Sequence, residues 1–150
     1  MNQRAAAAMG EDEVAAFLAH GRKVQLATIN PDGTPHLVTM FYGLSDGRIA
    51  FWTYRSSRKA HNLARDPRVT CLVEDGEAYF ELRGVQVAGE VRPVDDLAGV
   101  TEVGRLVAAR LPDVPADALE AYVTHAAPKR TAYLVQPLRV ASWDHRKLLS

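Results

Sequence analysis

The segment Phe51-Trp52-Thr53-Tyr54-Arg55-Ser56-Ser57-Arg58-Lys59-Ala60 decides how the rest of the chain is interpreted. Its first half is aromatic and β-branched, which favours a strand, and its serines favour the start of a helix. That helix opens with two cations, although a helix N-terminus already carries a partial positive charge and unpaired N–H groups. A bound phosphate would relieve this clash. The segment therefore predicts either a phosphate cradle, made by Arg58, Lys59, a serine hydroxyl and Thr53, or a solvated and slightly strained surface helix.

Composition places the chain among ordinary globular proteins. Its 150 residues, of which 47% are hydrophobic and 24% charged, are typical of a single domain, here residues 1–150. The 18 basic and 18 acidic residues balance, which argues against a general nucleic-acid binder or a membrane-surface protein. We find no signal-peptide pattern and no long apolar run, so the sequence predicts no membrane span and a cytoplasmic location.

The sequence argues against several kinds of chemistry. The only cysteine, Cys71, lies in an apolar run, which predicts a buried, inert thiol and excludes an internal disulfide. The five histidines are scattered without ligand spacing, so no metal site is predicted. The sequence lacks the P-loop, GxGxxG, HExxH and GxSxG motifs, which disfavours nucleotide hydrolysis, Rossmann dehydrogenases, zinc proteases and α/β-hydrolases.

The remaining pattern predicts a mainly β fold, with residues 1–10 disordered. Gly84 and Gly89 are expected to bend one long strand, as a curled sheet requires. We therefore expect a compact antiparallel β-barrel of six strands with interspersed α-helices, and an open antiparallel α+β sandwich is the alternative. The predicted strands are residues 23–30, 37–44, 48–54, 68–74, 79–93 and 129–143, and the predicted helices are residues 11–20, 57–66, 95–111 and 116–125.

A resemblance to a known family rests on the central segment and on its surroundings. Phe51-Trp52-Thr53, followed by Ser57-Arg58-Lys59-Ala60-His61-Asn62-Leu63 and Asp66-Pro67-Arg68-Val69, resembles the flavin-phosphate segment of the pyridoxamine 5′-phosphate oxidase-like superfamily. The hairpin around Pro31-Asp32-Gly33-Thr34-Pro35 is similar to that superfamily's opening strands, and residues 84–91 to a later barrel strand. The resemblance covers roughly residues 11–93, with a weaker similarity in residues 141–145.

This resemblance implies a fold, an assembly and a cofactor. The fold would be a six-stranded antiparallel split β-barrel of the FMN-binding type. The unit would be a homodimer, with FMN or the deazaflavin coenzyme F420 lying in a groove at the subunit interface.

The resemblance also implies roles for particular residues. Arg58 and Lys59 would contact the cofactor phosphate, with Thr53 and Ser57 as hydroxyl donors, and His36 stands where the oxidases have a phosphate-contacting arginine. By residue type alone, a solvated position for His36 is the alternative.

Further expected contacts concern the ring of the cofactor and its charged tail. Val38, Thr39 and Met40 would lie on a strand beside the ring, and Trp52 stands at a position that is aromatic in the oxidases and contributes to their flavin site. For Trp52 and Met40, a core position is the alternative. The cations expected near a polyglutamate tail of F420 are Arg55, Arg58 and Lys59, with Arg146 and Lys147 as further candidates.

A departure from the family pattern narrows the expected activity. The oxidases carry a C-terminal Arg-x-His segment that holds the substrate, which this chain lacks, so oxidation of vitamin B6 phosphates is disfavoured. The chain looks more like the F420-dependent branch, in which F420 donates a hydride to a conjugated small molecule. The alternatives are an FMN-dependent reductase or oxidase and a non-catalytic flavin- or haem-binding or storage protein. No side chain is assigned a catalytic role.

Overall fold

The computed structural model describes residues 2–149, which form one sheet flanked by helices. Short 3₁₀ turns occupy Tyr79–Glu81, Ala127–Lys129 and His145–Leu149. The helices are α1 (Gln3–Ala7), α2 (Glu11–His20), α3 (Arg58–Arg65), α4 (Leu97–Ala108) and α5 (Ala116–Ala126). The strands are β1 (Lys23–Ile29), β2 (Pro35–Phe41), β3 (Gly43–Ser45), β4 (Arg48–Tyr54), β5 (Arg68–Asp75), β6 (Arg83–Val94) and β7 (Arg130–Asp144).

The sheet curls so that its two ends come from one continuous stretch of chain. All pairings are antiparallel, and the strand order is β2-β1-β5-β6-β7-β4-β3. The first and last strands of this order, β2 and β3, are separated by Tyr42 alone. The continuous stretch of β2 and β3 therefore pairs with β1 at one edge of the sheet and with β4 at the other edge. This makes the sheet barrel-like, as the split-barrel prediction requires.

The predicted number of six strands is wrong, since the structure describes seven. Residues 37–44 were expected to form one strand, but the chain changes partner at Tyr42. The backbone N–H of Tyr42 still donates to the carbonyl of Arg22, whereas Gly43 pairs with Ala50 of β4. The Tyr42 side chain is fully buried and its hydroxyl donates to the carbonyl of Leu18. This buried anchor divides the stretch into two strands.

Two further expectations need correction. Of residues 1–10, residue 1 lies outside the described residues. The others are not the irregular segment expected, because α1 forms there, Ala7 is buried, and the Met9 N–H donates to Ser142 Oγ (2.9 Å). The strand expected from Tyr79 begins only at Arg83, after a 3₁₀ turn.

Two apolar clusters lie on opposite faces of the sheet. The inner cluster fills the barrel and contains the stacked rings of Phe51 and Tyr133, whose centroids are 5.1 Å apart. It also contains Cys71, whose burial raises the pKa of the thiol to about 12, as expected for an inert cysteine. The outer cluster lies between β4, β7 and the helices α4 and α5, and its centre is Trp52 packed against Gly104.

The expected bend in the long strand occurs at one of the two predicted glycines. The register between β6 and β7 shifts between Ala88 and Gly89, which is a β-bulge. A Cβ on Gly89 would lie 2.0 Å from the carbonyl oxygen of Gln136, so the close approach of the two strands requires glycine. Gly84 keeps regular pairing, opposite Trp143.

Candidate functional site

The junction between β4 and α3 forms as the sequence predicts. Ser57 is the N-cap of α3, and its Oγ accepts hydrogen bonds from the Ala60 backbone N–H (3.1 Å) and from the Thr53 hydroxyl (3.2 Å). Arg58 and Lys59 are the first two helical residues, and no acidic residue lies in the first turn. Because Ser57 Oγ already accepts two hydrogen bonds, its own proton is available to a ligand oxygen.

A buried asparagine fixes α3 against the β1–β2 hairpin. The Asn62 side chain is fully buried, and its Nδ2 donates to Thr28 Oγ1 (3.0 Å) and to Asn30 Oδ1 (3.1 Å). One turn later, the Arg65 guanidinium donates to the carbonyl of Ile29. Satisfied buried polar groups of this kind specify one arrangement of neighbouring elements, so the first turn of α3 is held in a fixed place.

A cavity of about 300 Å³ lies beside this junction. It lies where the end of β2, the end of β4 and the start of β7 meet the helices α4 and α5. Its lining is mostly apolar and aromatic, with two cations and one threonine hydroxyl, which is the usual composition of a small-molecule pocket. The lining residues are Met40, Phe41, Trp52, Thr53, Tyr54, Lys59, Val107, Ala108, Leu111, Tyr122 and Arg130.

The cavity brings together four of the ten predicted site residues. Lys59 and Thr53 supply a charge and a hydroxyl. Met40 and Trp52 supply apolar surface, although Trp52 is only 5% exposed and most of its indole packs in the outer cluster. The core alternative thus describes most of the Trp52 side chain, while one part of it faces the cavity.

The other six predicted residues do not line the cavity. Arg55, Ser57 and Arg58 lie at the adjacent junction, where Arg55 Nε donates to the carbonyl of Arg130. Val38 packs against the inner cluster. The remaining two lie elsewhere. Thr39 lines a different cavity. His36 is half-buried on β2, where its Nδ1 has no hydrogen-bond partner among the described residues.

The charges at this site are all of one sign. Among residues 2–149, no ion pair joins Arg55, Arg58, Lys59 or Arg130 to a carboxylate, and no acidic side chain lines the cavity. Burial lowers the pKa of Lys59, and the nearby charge of Arg130 lowers it further. A pair of half-buried cations without carboxylate partners among the described residues is an electrostatic environment that favours an anion.

The C-terminal cations considered from the sequence are already engaged. Arg146 pairs with Asp144 (2.7 Å), and Lys147 pairs with Glu13 (2.9 Å) and donates to the carbonyl of Ala8 (3.0 Å). The Lys147 contacts tie the C-terminal turn to the N-terminal helices, and the Arg146 pair is local to the end of β7, so neither side chain adds charge to the cavity.

Reasoning from the sequence missed Tyr54, Tyr122 and Arg130 as lining residues. Arg130 begins β7 and stands directly opposite Tyr54 of β4. Because this pairing joins residues 76 positions apart, no local pattern places Arg130 beside the central segment. The only available signal was the presence of a basic residue at the start of a predicted strand.

Other parts of the molecule are less suited to an anionic ligand. A cavity of about 520 Å³ between α2 and β5 is lined by both signs of charge, including Arg22, Lys23, Glu74 and Asp75. No cluster of metal-ligating side chains occurs within the described range, and none of its helices is long and apolar enough to cross a membrane.

Comparison with known proteins finds similar families and folds. Residues 11–144 match the family model described as pyridoxamine 5′-phosphate oxidase. A pyridoxine/pyridoxamine 5′-phosphate oxidase from Cupriavidus taiwanensis is 33% identical over 88 residues, which are 57% of this chain and 40% of that protein. The chain therefore aligns with less than half the length of this curated relative.

Solved structures extend the similarity along the whole chain. A conserved hypothetical protein from Mycobacterium tuberculosis shares 41% identity with a TM-score of 0.91, over 100% of this chain and 94% of the other. An F420 reductase shares the fold at 24% identity and a TM-score of 0.62, over 84% of this chain and 94% of that one. A haem-binding protein from Mycobacterium smegmatis also shares the fold, at 20% identity and a TM-score of 0.63, over 90% and 57% of the two chains.

Proposed function

The chain belongs to the pyridoxamine 5′-phosphate oxidase family, and from that premise we propose that it is an oxidoreductase that uses coenzyme F420 as hydride donor to reduce a conjugated small molecule. One observation carries the proposal. Arg55, Arg58, Lys59 and Arg130 lie at or beside one apolar cavity, and no ion pair among the described residues neutralises them.

The number of these cations supports F420. FMN presents one phosphate, whereas F420 presents a phosphate and the carboxylates of a polyglutamate tail. Two cations at the cavity suffice for a phosphate. Arg55 and Arg58 are exposed beside it, where a flexible anionic tail has access. The fold shared with an F420 reductase agrees with the proposal at the level of architecture only.

FMN is the second candidate, and a specific observation favours it. The matching family model is that of an oxidase, and the curated relative acts on B6 phosphates, so the family supports a flavin. Haem binding has less support, because it calls for an axial histidine and no histidine is found among the residues that line the cavity.

The protein's own residues would bind, orient and shield the reactants. When bound, the cofactor supplies the hydride. Lys59 and the Ser57 proton would hold the phosphate, and Thr53 keeps Ser57 oriented through its hydrogen bond. Met40, Phe41 and Trp52 present an apolar surface that limits access of water. Since no carboxylate lines the cavity, we assign no general acid and expect solvent to supply the proton.

We also propose a homodimer in which both chains contact each cofactor. Leu37 is 66% exposed and Phe41 is 41% exposed on the outward side of β2, where Leu37 stands opposite Ala27 of β1. An apolar strand face of this kind is typical of an interface between subunits. Phe41 also lines the cavity, so a partner chain packed on β2 would cover the cavity mouth. We also propose a cytoplasmic location, as the sequence predicts.

Turnover tests the proposed activity directly. Reduced F420 should be reoxidised when the protein is mixed with a quinone, as followed by the return of its visible absorbance. Pyridoxine and pyridoxamine phosphates, offered with FMN and oxygen, should not be oxidised, because the proposed reaction is hydride transfer from the reduced cofactor to a conjugated acceptor. Oxidation of either B6 phosphate, or quinone reduction with FMN but not with F420, would contradict the proposal.

A further inference from the structure

The side chain of Arg130 has an unusual environment for an arginine. Its guanidinium carbon lies 4.3 Å from the centroid of the Tyr54 ring and 4.7 Å from that of the Trp52 ring. Its Nη2 lies 3.5 Å from the Tyr122 hydroxyl, at the limit of a hydrogen bond. Two aromatic rings therefore lie against the guanidinium and the hydroxyl of a third residue reaches one of its nitrogens, and these contacts leave its N–H donors largely unused.

The unused donors include a buried one. Nε of Arg130 is buried, and no hydrogen-bond partner for it occurs in residues 2–149. Arginine carries five N–H donors in a fixed fork that matches carboxylate and phosphate, and buried donors are rarely left unpaired in native proteins. A permanently charged group packed against aromatic rings without an anion is thus an incomplete arrangement.

The second cation of the cavity points to the same missing partner. Lys59 approaches Arg130 closely enough for the arginine charge to lower the lysine pKa, after the larger effect of burial. Two like charges at one small cavity repel each other, and the fold does not separate them. An anion between the two would convert this repulsion into two favourable contacts.

We propose that Arg130 is a ligand-binding residue which, together with Lys59, holds a phosphate or carboxylate group borne by a planar, largely apolar molecule. The aromatic and aliphatic lining of the cavity accommodates the planar body, and the two cations take its anionic group. This inference rests on the proposed function in one respect. That function supplies the two possible sources of the anionic group, which are the phosphate of the cofactor and an acid group on the acceptor.

A purely structural role for Arg130 makes a different prediction. If the guanidinium served only to cover Trp52 and Tyr54, its replacement would lower the stability of the fold and leave anion binding unchanged. If it binds the ligand, replacement also weakens anion binding, whatever the loss of the contacts with Trp52 and Tyr54 does to the stability of the ligand-free protein.

The test uses Trp52 as a reporter. The chain contains two tryptophans, so Trp143→Phe leaves Trp52, stacked on Arg130, as the only source of indole emission. In this background we compare Arg130→Gln, Arg130→Lys and the control Arg48→Gln. Arg48 is an exposed cation on the same strand as Trp52, at the end remote from the cavity. The probes are inorganic phosphate and benzoate at constant ionic strength, and thermal unfolding is recorded for each variant.

The expected result is a saturable change in Trp52 emission with phosphate, benzoate or both in the parent and in Arg48→Gln. Arg130→Gln should weaken that binding by about tenfold or more. Arg130→Lys should fall between the two, since it keeps the charge and loses the planar fork. Equal binding by parent and Arg130→Gln, or the absence of any saturable response to either probe in the parent, would overturn the inference.

A second titration distinguishes the two sources of the anionic group, and it also distinguishes this inference from the proposed function. If Arg130→Gln weakens FMN or F420 binding and leaves riboflavin binding unchanged, the anion is the cofactor phosphate. If it instead raises KM for an acidic acceptor such as a naphthoquinone carboxylate, the anion belongs to the substrate. Phosphate or benzoate binding that depends on Arg130, without binding of F420 or FMN, would refute the proposed function and leave this inference standing. F420 binding and turnover that are unchanged by Arg130→Gln would refute this inference and leave the proposed function standing.

Discussion

Replacement of Lys59 by glutamine is the most informative single change at the proposed cofactor site. Lys59 is half-buried, lies in the first turn of α3, faces the cavity beside Arg130, and has no carboxylate partner in the described part of the chain. Glutamine keeps most of the length of the side chain and its ability to donate a hydrogen bond, so the substitution removes mainly the charge.

The expected magnitude follows from the contacts that Lys59 would make. A hydrogen bond from a charged group is worth about 1.5–3 kcal/mol, and about 1.4 kcal/mol corresponds to a factor of ten in affinity. Because the side chain is partly exposed and solvent screens its charge, we take the lower part of that range. Lys59→Gln should therefore weaken F420 binding about 10- to 30-fold.

The stability of the ligand-free protein should move the other way. The pKa of Lys59 is lowered in the folded state, so its charged form is less favourable there than in the unfolded chain. This penalty is fully present below the lowered pKa and disappears as the pH rises through the lysine's ordinary pKa. At pH 7 the substitution should leave the free energy of unfolding unchanged or slightly higher, because the clash with Arg130 and with the helix dipole is relieved.

The assay is a fluorescence titration of F420 against the wild type, Lys59→Gln and the matched control Arg48→Gln, with urea unfolding of each protein. The Arg48 guanidinium donates to Gln136 Oε1 (3.0 Å), and its loss removes the same unit of charge. Equal affinity of wild type and Lys59→Gln would refute the assignment of Lys59 to the cradle. Equal losses of affinity in both variants would mean that net charge, and not position, controls binding.

Three further predictions concern the scaffold. Gly104→Val should lower the free energy of unfolding by about 1–3 kcal/mol in urea titrations, because a Cβ there would lie 2.5–2.9 Å from three ring carbons of Trp52. An unchanged midpoint of urea unfolding would contradict this packing. Leu37→Glu should convert the proposed dimer to a monomer in light scattering, since it places a charge on an exposed apolar strand face; a dimer of undiminished affinity would place the interface elsewhere. Asp144→Asn should lower the free energy of unfolding by about 1 kcal/mol at pH 7, because hydrogen bonds from Arg146 lower the pKa of the buried Asp144 carboxyl below its ordinary value of 3.8. That stabilisation is present above about pH 4 and is lost as the pH falls further. The stabilities of wild type and variant should therefore converge in acid.

The parts of the site that depend on neighbours in sequence were predictable. A strand that ends in serines and continues into a helix fixes the positions of Thr53, Ser57 and Lys59 over a few residues, and the structure reproduces the cap and the two cations. The start of the helix predicted over residues 95–111 is likewise local, since Asp96 caps α4 by accepting from the Gly99 N–H (3.0 Å). Capping and turn chemistry are local, so they can be read from one sequence.

The parts that depend on distant pairing were not predictable. Tyr42 divides one expected strand into two because its two neighbours pair with different strands, which local β-propensity does not reveal. Order at the N-terminus depends on Ser142, 133 positions from Met9. Arg130 enters the site only through the register of β4 with β7. Its orphaned Nε and its aromatic neighbours are tertiary features, so the fullest evidence for an anion site appears only in the folded chain.

The most direct test of the central claim is an equilibrium titration of the wild-type protein with F420 and with FMN at low and high salt. We predict binding of F420 at micromolar concentration or tighter. That binding should weaken markedly with salt, because the exposed cations Arg55 and Arg58 would contact a polyanionic tail, and FMN binding should weaken less. Micromolar or tighter FMN binding with no detectable F420 binding would contradict the assignment and leave an FMN-dependent reductase, and the absence of binding to either would refute the cofactor site itself.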